Sequence, residues 1–167
     1  TCALPICRQA ISFVRGRGAY LYTQDGTEYL DALTGIAVCG LGHAHPAIAE
    51  AIAEQAATLV HTSNLFEIPW QTAAAQKLAE VSGMEEIFFS NSGAESNEGA
   101  IKIARKFGTQ QGISLPKIIV AEQSFHGRTL ATLSATGNKK VQDGFAPLVE
   151  GFVRVPFGDI EIGRAHV

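Results

Sequence analysis

The scarcity of charge narrows the chemistry of this chain first. Charged residues make up 17% of its 167 positions, 13 Lys and Arg against 16 Asp and Glu, for a formal net charge of -3. No basic stripe stands out, so there is no concentrated positive field for a nucleic-acid groove or an anionic membrane surface. No apolar run is long enough to span a bilayer and no charged-then-apolar leader opens the sequence. The expectation is a soluble, cytoplasmic protein without nucleic-acid or membrane partners. Cysteine is scarce too, at Cys2, Cys7 and Cys39, and the first two fall in an end segment that looks foreign. Setting them aside leaves Cys39 alone and excludes a disulfide framework. What is plentiful is apolar residues, 46% of the total, enough for a single-domain core.

Both ends differ in character from the rest. "TCALPIC" and "EIGRAHV" can be back-translated so that they are reverse complements over about nineteen bases, as one DNA linker on both sides of an insert would be. They also resemble a sequencing-library adapter. Residues 1–7 and 161–167 are therefore expected to be adapter-derived tails and are left out of the fold reasoning.

Between them, "AYLYTQDGTEYLDALTG" sets two alternating, aromatic-rich runs around Asp25-Gly26, which predicts a hairpin with strands near Ala19 to Thr23 and Thr27 to Asp31. Pro46 then opens an amphipathic helix with Ile48, Ile52, Ala56 and Leu59 on one stripe. A second helix is predicted from Pro69 to a stop at Gly83. From there the pattern turns to β, α, β. "EEIFFS", "KIIVAE" and "GFVRVPF" read as buried-type strands, and Ala100, Ile103, Ala104 and Phe107 predict a helical stripe. Helices between apolar strands imply a mostly parallel sheet covered on both faces. The hairpin lies outside that alternation, so a boundary is expected near His45.

Two loops carry the chemistry. "SNSGAES" joins a predicted strand to a helix, where unpaired N–H groups and the helix dipole favour an anion. Gly93 lets the backbone approach a phosphate, and Ser92 and Ala94 are too small to block it; Glu95 and Glu98 complement the helix start. A nucleotide P-loop is excluded because Ala94, Glu95 and Ser96 follow Gly93. "GRGAYL" fails as a dinucleotide fingerprint because Leu21 stands where a third Gly is needed. "EQSFHGRTLATLSATG" follows "KIIVAE" and so falls on the same sheet edge. There Phe125 could cover an aromatic ring and Arg128 could clamp a carboxylate, though each singly fits a core or surface role as well. His43 and His45 lack a third convergent ligand, so no metal site is expected.

At these residues the sequence resembles the class III, pyridoxal-phosphate-dependent aminotransferases, above all their bacterial acetylornithine branch. The matching runs are "DGTEYLDALTGIAVCGLGHAHPAI", "HTSNLFEIPWQ", "FFSNSGAESNEGAIKIAR" and "FHGRTLATLSATGNKKVQDGFAPL". They keep the family's order over nearly everything from Ser12 to Ile160. The resemblance implies an α/β fold, the fold type I PLP-dependent transferase. Residues 46–160 would form the first part of its large, PLP-binding domain and residues 8–45 a hairpin segment of its small domain. It implies pyridoxal 5'-phosphate as cofactor, with its phosphate on the backbone amides of Gly93 and Ala94 beside Ser92. Phe125 would lie against the cofactor ring, His126 would wall the site, and Arg128 would take the substrate's α-carboxylate. Ser96 departs from the usual Ala.

The implied reaction moves the terminal amino group of N2-acetylornithine to 2-oxoglutarate, giving N-acetylglutamate semialdehyde and glutamate, a step of arginine biosynthesis. Alternatives are class III relatives acting on ornithine, succinylornithine, succinyl-diaminopimelate or 4-aminobutyrate, or a non-catalytic protein of the same fold. The family's Schiff-base Lys and pyridine-pairing Asp would stand beyond Val167. Lys102, Lys106, Lys117, Lys139 and Lys140 do not match that Lys, so no catalytic residue is expected here and the chain alone is expected to be inactive. "HTSNLFEI" resembles a segment near the family's subunit interface, which implies a homodimer for the intact protein.

Overall fold

Asp25 and Gly26 turn the chain where the sequence predicts. Gly26 takes φ 88°, Thr27 donates its N–H to Asp25 Oδ1 at 3.3 Å, and the Thr23 hydroxyl bonds the same carboxylate. The strands on either side are β2 (Tyr20–Thr23) and β3 (Glu28–Leu30), and a further strand, β1 (Phe13–Arg17), precedes them in an antiparallel meander. Its register slips by one residue between Phe13 and Arg15, a bulge that bends an edge strand. The computed structural model describes residues 9–159, so the expected adapter-derived tails lie outside the described residues. The chain divides into two compact units, the first ending at Thr72 and the second beginning at Ala73.

In the first unit the meander is tied to the segment that follows it. Gly18 and His43 exchange backbone hydrogen bonds of 2.9 and 2.8 Å. A Cβ at Gly16 would stand 2.6 Å from the His43 Cβ, and one at Gly42 would stand 2.9 Å from the Gly18 carbonyl oxygen. These glycines are where two backbones meet too closely for a side chain. Between them, α1 (Thr34–Ala37) is a single turn with φ of 52°, 65°, 62° and 60° at its four residues. That is left-handed sense, which costs L-residues about 1–2 kcal/mol each. Asp31 offsets part of that cost, because its Oδ1 accepts the N–H groups of Leu33 and Thr34 at 3.0 and 2.8 Å.

Helix α2 (Pro46–Thr58) starts with Pro at the first helical position, and α3 (Pro69–Ser82) ends at Gly83, φ 72°, both as the sequence predicts. The stripe of α2 is nevertheless open: Ile48 is 44% exposed and Ile52 64%. With Leu41, Leu59 and Val60 they border an apolar cavity of about 570 Å³. An apolar stripe buries only when a complementary surface lies against it.

The second unit holds α4 (Gly93–Gln110), β4 (Ile118–Ala121), α5 (Leu130–Ala135), a 3-10 turn at Lys139–Val141 and β5 (Phe152–Val155). Strands β4 and β5 pair in parallel, Ile118 with Phe152 through Ala121 with Val155, so two of the three predicted strands form. The third does not. Residues 85–90, "EEIFFS", run without a ladder partner among the described residues, and Phe88 is 72% exposed. A strand is a pairing, not a property of one segment, and apolar sequence alone does not supply the pair.

The predicted face of α4 is also corrected. Ile103 and Phe107 are 67% and 63% exposed, whereas Ile101 is buried. The inward face runs through Ala94, Asn97, Ile101, Arg105 and Gly108. Gly108 sits against Pro116, whose Cγ would be 2.6 Å from an added Cβ, and the Arg105 guanidinium bonds the Glu150 carbonyl. The inward stripe is the less apolar of the two, with Asn97 and Arg105 hydrogen-bonded beside Ile101, so the segments packed against the helix decide which face turns in. The buried apolar residues described, Ile101, Val120, Leu133 and Ala135, all lie in this unit.

Candidate active site

The start of α4 is built by its own side chains. Ser92 caps the helix, its Oγ accepting the Glu95 N–H at 3.2 Å. The Glu95 carboxylate folds back to the Asn91 N–H at 2.8 Å. This reciprocal arrangement fixes the first turn and is worth about 1 kcal/mol. It also engages the Glu95 carboxylate with Asn91 on the preceding loop. The first two N–H groups of the helix, those of Gly93 and Ala94, have no intrahelical acceptor by construction. A Cβ added to Gly93 would meet no atom within 4 Å. No neighbouring atom crowds Gly93, and two amides without intrahelical acceptors at a helix start fit an anionic group such as a phosphate.

Ser96 has a local role that accounts for its hydroxyl. Its Oγ lies 2.5 Å from Ser90 Oγ and 3.3 Å from the Ser92 carbonyl, which staples the chain entering the helix to its first turn.

The loop after β4 reaches the same place. Gly127, at φ 135°, lies so close to α4 that a Cβ there would be 2.9 Å from the Ala94 Cβ and 2.6 Å from Thr132 Oγ1. The His126 carbonyl accepts Asn97 Nδ2 at 2.7 Å, and Thr129 Oγ1 bonds the Glu98 carboxylate. Phe125 and Arg128 flank this contact. Phe125 is 69% exposed, and the Arg128 guanidinium carbon stands 6.0 Å from its ring centroid, the outer reach of a cation–π contact. His126 is half-buried, its Nδ1 3.4 Å from Ser124 Oγ. The structure thus brings Gly93, Ala94, His126 and Arg128 onto two adjoining segments.

Behind the loop lies a polar layer that the sequence did not announce. Thr132, Ser134 and Thr136 are 0%, 2% and 1% exposed, and all are hydrogen-bonded. Thr136 Oγ1 accepts the His126 N–H at 3.0 Å and donates to the Thr132 carbonyl at 2.9 Å. Gln142 Nε2 donates to the carbonyls of Leu133 and Thr136 at 3.0 and 2.8 Å, and Arg154 bonds the Ser134 carbonyl. These donors satisfy the C-terminal end of α5, where buried carbonyls would otherwise be orphaned. Asn97 also escaped sequence reasoning. Its signal was its position four residues after Gly93, on the same helix face.

The two histidines singled out as weak metal candidates have other surroundings. His43 Nε2 lies 2.6 Å from Asp31 Oδ2, and His45 precedes α2 at its N-cap position. Among the described residues no group of three or more His, Cys, Asp or Glu side chains could hold a metal ion. Cys39 is a half-buried free thiol. No described helix is long and apolar enough to cross a membrane.

Comparison with known proteins gives the class. The aminotransferase class-III family profile matches residues 6–166, and the chain belongs to that family. An acetylornithine aminotransferase of Nitrosomonas europaea is 58% identical over 154 residues, 92% of this chain and 39% of that protein. Among solved structures, the N-acetylornithine aminotransferase of Stenotrophomonas maltophilia superposes with a TM-score of 0.76 at 35% identity, over 95% of this chain and 39% of that one. An ornithine aminotransferase of Toxoplasma gondii, whose structure shows partial occupancy of PLP at its active site, gives 0.89 at 28% identity, over 96% and 40%. The fold is that of the PLP-dependent aminotransferases. The chain spans about two fifths of the length of the curated relatives it matches.

Proposed function

We propose that this chain contributes the phosphate-binding and carboxylate-binding side of a PLP-dependent aminotransferase that moves the terminal amino group of N2-acetylornithine to 2-oxoglutarate. The products are N-acetylglutamate semialdehyde and glutamate. The observation that carries the reading is the contact of Gly127 with Ala94, which sets the Phe125–Arg128 loop beside the open amides of Gly93 and Ala94. In this reading Gly93 and Ala94 bind the phosphate beside Ser92, Phe125 lies against the pyridine ring, His126 walls the site, and Arg128 holds the α-carboxylate. When bound, PLP supplies an electron sink for the carbon that loses its proton. Holding the distal carboxylate leaves the terminal amine as the reacting end.

The likeness to acetylornithine aminotransferases supports the substrate. The lysine that would carry PLP has no counterpart at Lys102, Lys106, Lys117, Lys139 or Lys140, so the chain by itself is inactive in this reading. A cytoplasmic homodimer belongs to the same proposal. So does the division into a small-domain segment over 8–45 and the first part of a large, PLP-binding domain over 46–160. The exposed stripe of α2 supports a larger assembly, because such a surface needs a complementary one to cover it.

The test is turnover by the full-length protein with 2-oxoglutarate and a panel of amines. Highest kcat/KM on N2-acetylornithine is expected. Preference for ornithine, succinylornithine, succinyl-diaminopimelate or 4-aminobutyrate would move the protein to another branch, and no turnover with any of them would overturn the reading.

A further inference from the structure

The peptide groups flanking His126 are held from two sides. The N–H is taken by Thr136 Oγ1 at 3.0 Å and the carbonyl by Asn97 Nδ2 at 2.7 Å. Thr136 lies behind the loop at the end of α5, and it is almost fully buried. Asn97 lies on α4, on the same face as Ala94, against which Gly127 packs. The next helix residue, Glu98, bonds the Thr129 hydroxyl on the far side of Arg128. Gly127 between them has no room for a Cβ. The segment from His126 to Thr129 is thus braced at both ends by consecutive residues of one helix, and its middle rests on that helix.

We propose that Asn97 is a positioning residue that fixes the carboxylate-binding loop to the phosphate-binding helix through the His126 carbonyl. This rests on the aminotransferase reading above. The reasoning is geometric. Two recognition elements contributed by different loops act together only if their separation is constant, and a misplacement of about 1 Å can cost a hundredfold in rate. Phosphate binding needs only α4, so it survives loss of the brace. Phe125 and Arg128 depend on where the loop sits, so ring environment and carboxylate affinity do not. Asn is suited to the task because its amide donates to a carbonyl, whereas an ionised Asp of the same shape can only accept.

The experiment uses the full-length holoenzyme with Asn97→Asp, Asn97→Ala and Asn97→Gln. It reads the visible circular dichroism of bound PLP, the PLP dissociation constant, and KM and kcat for the amine donor. Asn97→Asp and Asn97→Ala are expected to change the cofactor's dichroic band and raise KM about tenfold, the scale of one lost hydrogen bond. PLP affinity should move less than threefold, and Asn97→Gln should recover part of the loss because it keeps the donor. Where Asn97→Ala fails to fold, the contrast between Asn97→Asp and Asn97→Gln decides. A second pair, Thr136→Val against Thr136→Ser, should repeat the pattern from the other side of the same residue. An unchanged dichroic band and KM in folded Asn97→Asp would overturn the proposal while leaving the aminotransferase reading intact. A parent protein with no PLP dichroism fails the reading itself, and the proposal with it. Equal losses in Asn97→Gln and Asn97→Asp would also overturn it, since a donor would then not matter.

Discussion

His43 Nε2 stands 2.6 Å from Asp31 Oδ2, and the other carboxylate oxygen of Asp31 accepts the N–H groups of Leu33 and Thr34. One side chain therefore joins the end of the meander, the entrance to a left-handed turn and the histidine that sits over Gly16. The Asp31 carboxyl is held below its ordinary range, first by the His43 hydrogen bond and then by the backbone N–H groups, against some desolvation.

That depression fixes the sign of a pH dependence. A carboxylate lowered in the folded state contributes stability above its unfolded pKa, about 4, and loses it as pH falls through the folded value. In denaturant melts of the full-length protein, Asp31→Asn should lower the midpoint at pH 6 to 7. The gap from the parent should close below about pH 4. A gap that stays constant down to pH 3 would mean that the charge of Asp31 is not what holds the turn.

Gly93 and Gly127 should respond oppositely to the same substitution. At Gly127 a methyl group meets Thr132 Oγ1 and the Ala94 Cβ, at a φ that side chains rarely adopt. Gly127→Ala should cost about 1–3 kcal/mol in unfolding free energy. Gly93→Ala meets open space, so stability should stay within about 0.5 kcal/mol. Its effect should instead be weaker PLP binding, measured by fluorescence titration, because the methyl group enters the region proposed for the phosphate. Loss of stability at both positions, with unchanged affinity at 93, would mean that the start of α4 is not the phosphate site.

Legibility in the sequence followed the range of the interactions. The Asp25-Gly26 hairpin, Pro46 and Gly83 act within a few residues, and each stands where it was expected. Strand β1 was missed because its sequence, "FVRGR", is broken by Gly16, whose purpose is to admit His43 from 27 positions further on. The inward face of α4 was misjudged for a related reason: Ile103 and Phe107 are the more apolar choice, but Pro116 and the loop after β4 lie on the other side. Of the candidate site, the loops that hold Ser92, Gly93, Ala94, Phe125, His126 and Arg128 stand out in local pattern and family likeness as proposed contacts. The bonds that join those loops do not. Asn97 and His126 are 29 residues apart, and nothing in either neighbourhood announces the other.

Ser92 tests whether the helix start matters for the fold as well as for the ligand. Ser92→Ala removes the acceptor for the Glu95 N–H and should cost about 1 kcal/mol, whereas Ser92→Asp or Ser92→Asn, which restore an acceptor, should recover most of it. Ser92→Asp should nonetheless weaken PLP binding, because it adds negative charge beside the proposed phosphate position. Equal affinity for Asp and Asn at this position would place the phosphate away from the cap.

Arg128 gives the sharpest division between a carboxylate clamp and a surface charge. A planar guanidinium can bond both oxygens of a carboxylate, which an ammonium cannot reproduce. In the full-length enzyme, Arg128→Ala should raise KM for N2-acetylornithine roughly 10- to 100-fold, the scale of a hydrogen bond to a charged group. Arg128→Lys should recover only part of the loss, and kcat should change less than KM if the contact is present equally in the bound substrate and the transition state. The control is a simple alkylamine, which carries the reacting amine but no carboxylate. Its kcat/KM should be nearly indifferent to either substitution. If the alkylamine suffers as much as acetylornithine, Arg128 acts on the cofactor or on the loop, not on the substrate's carboxylate, and its place beside the Phe125 ring becomes the better account of it.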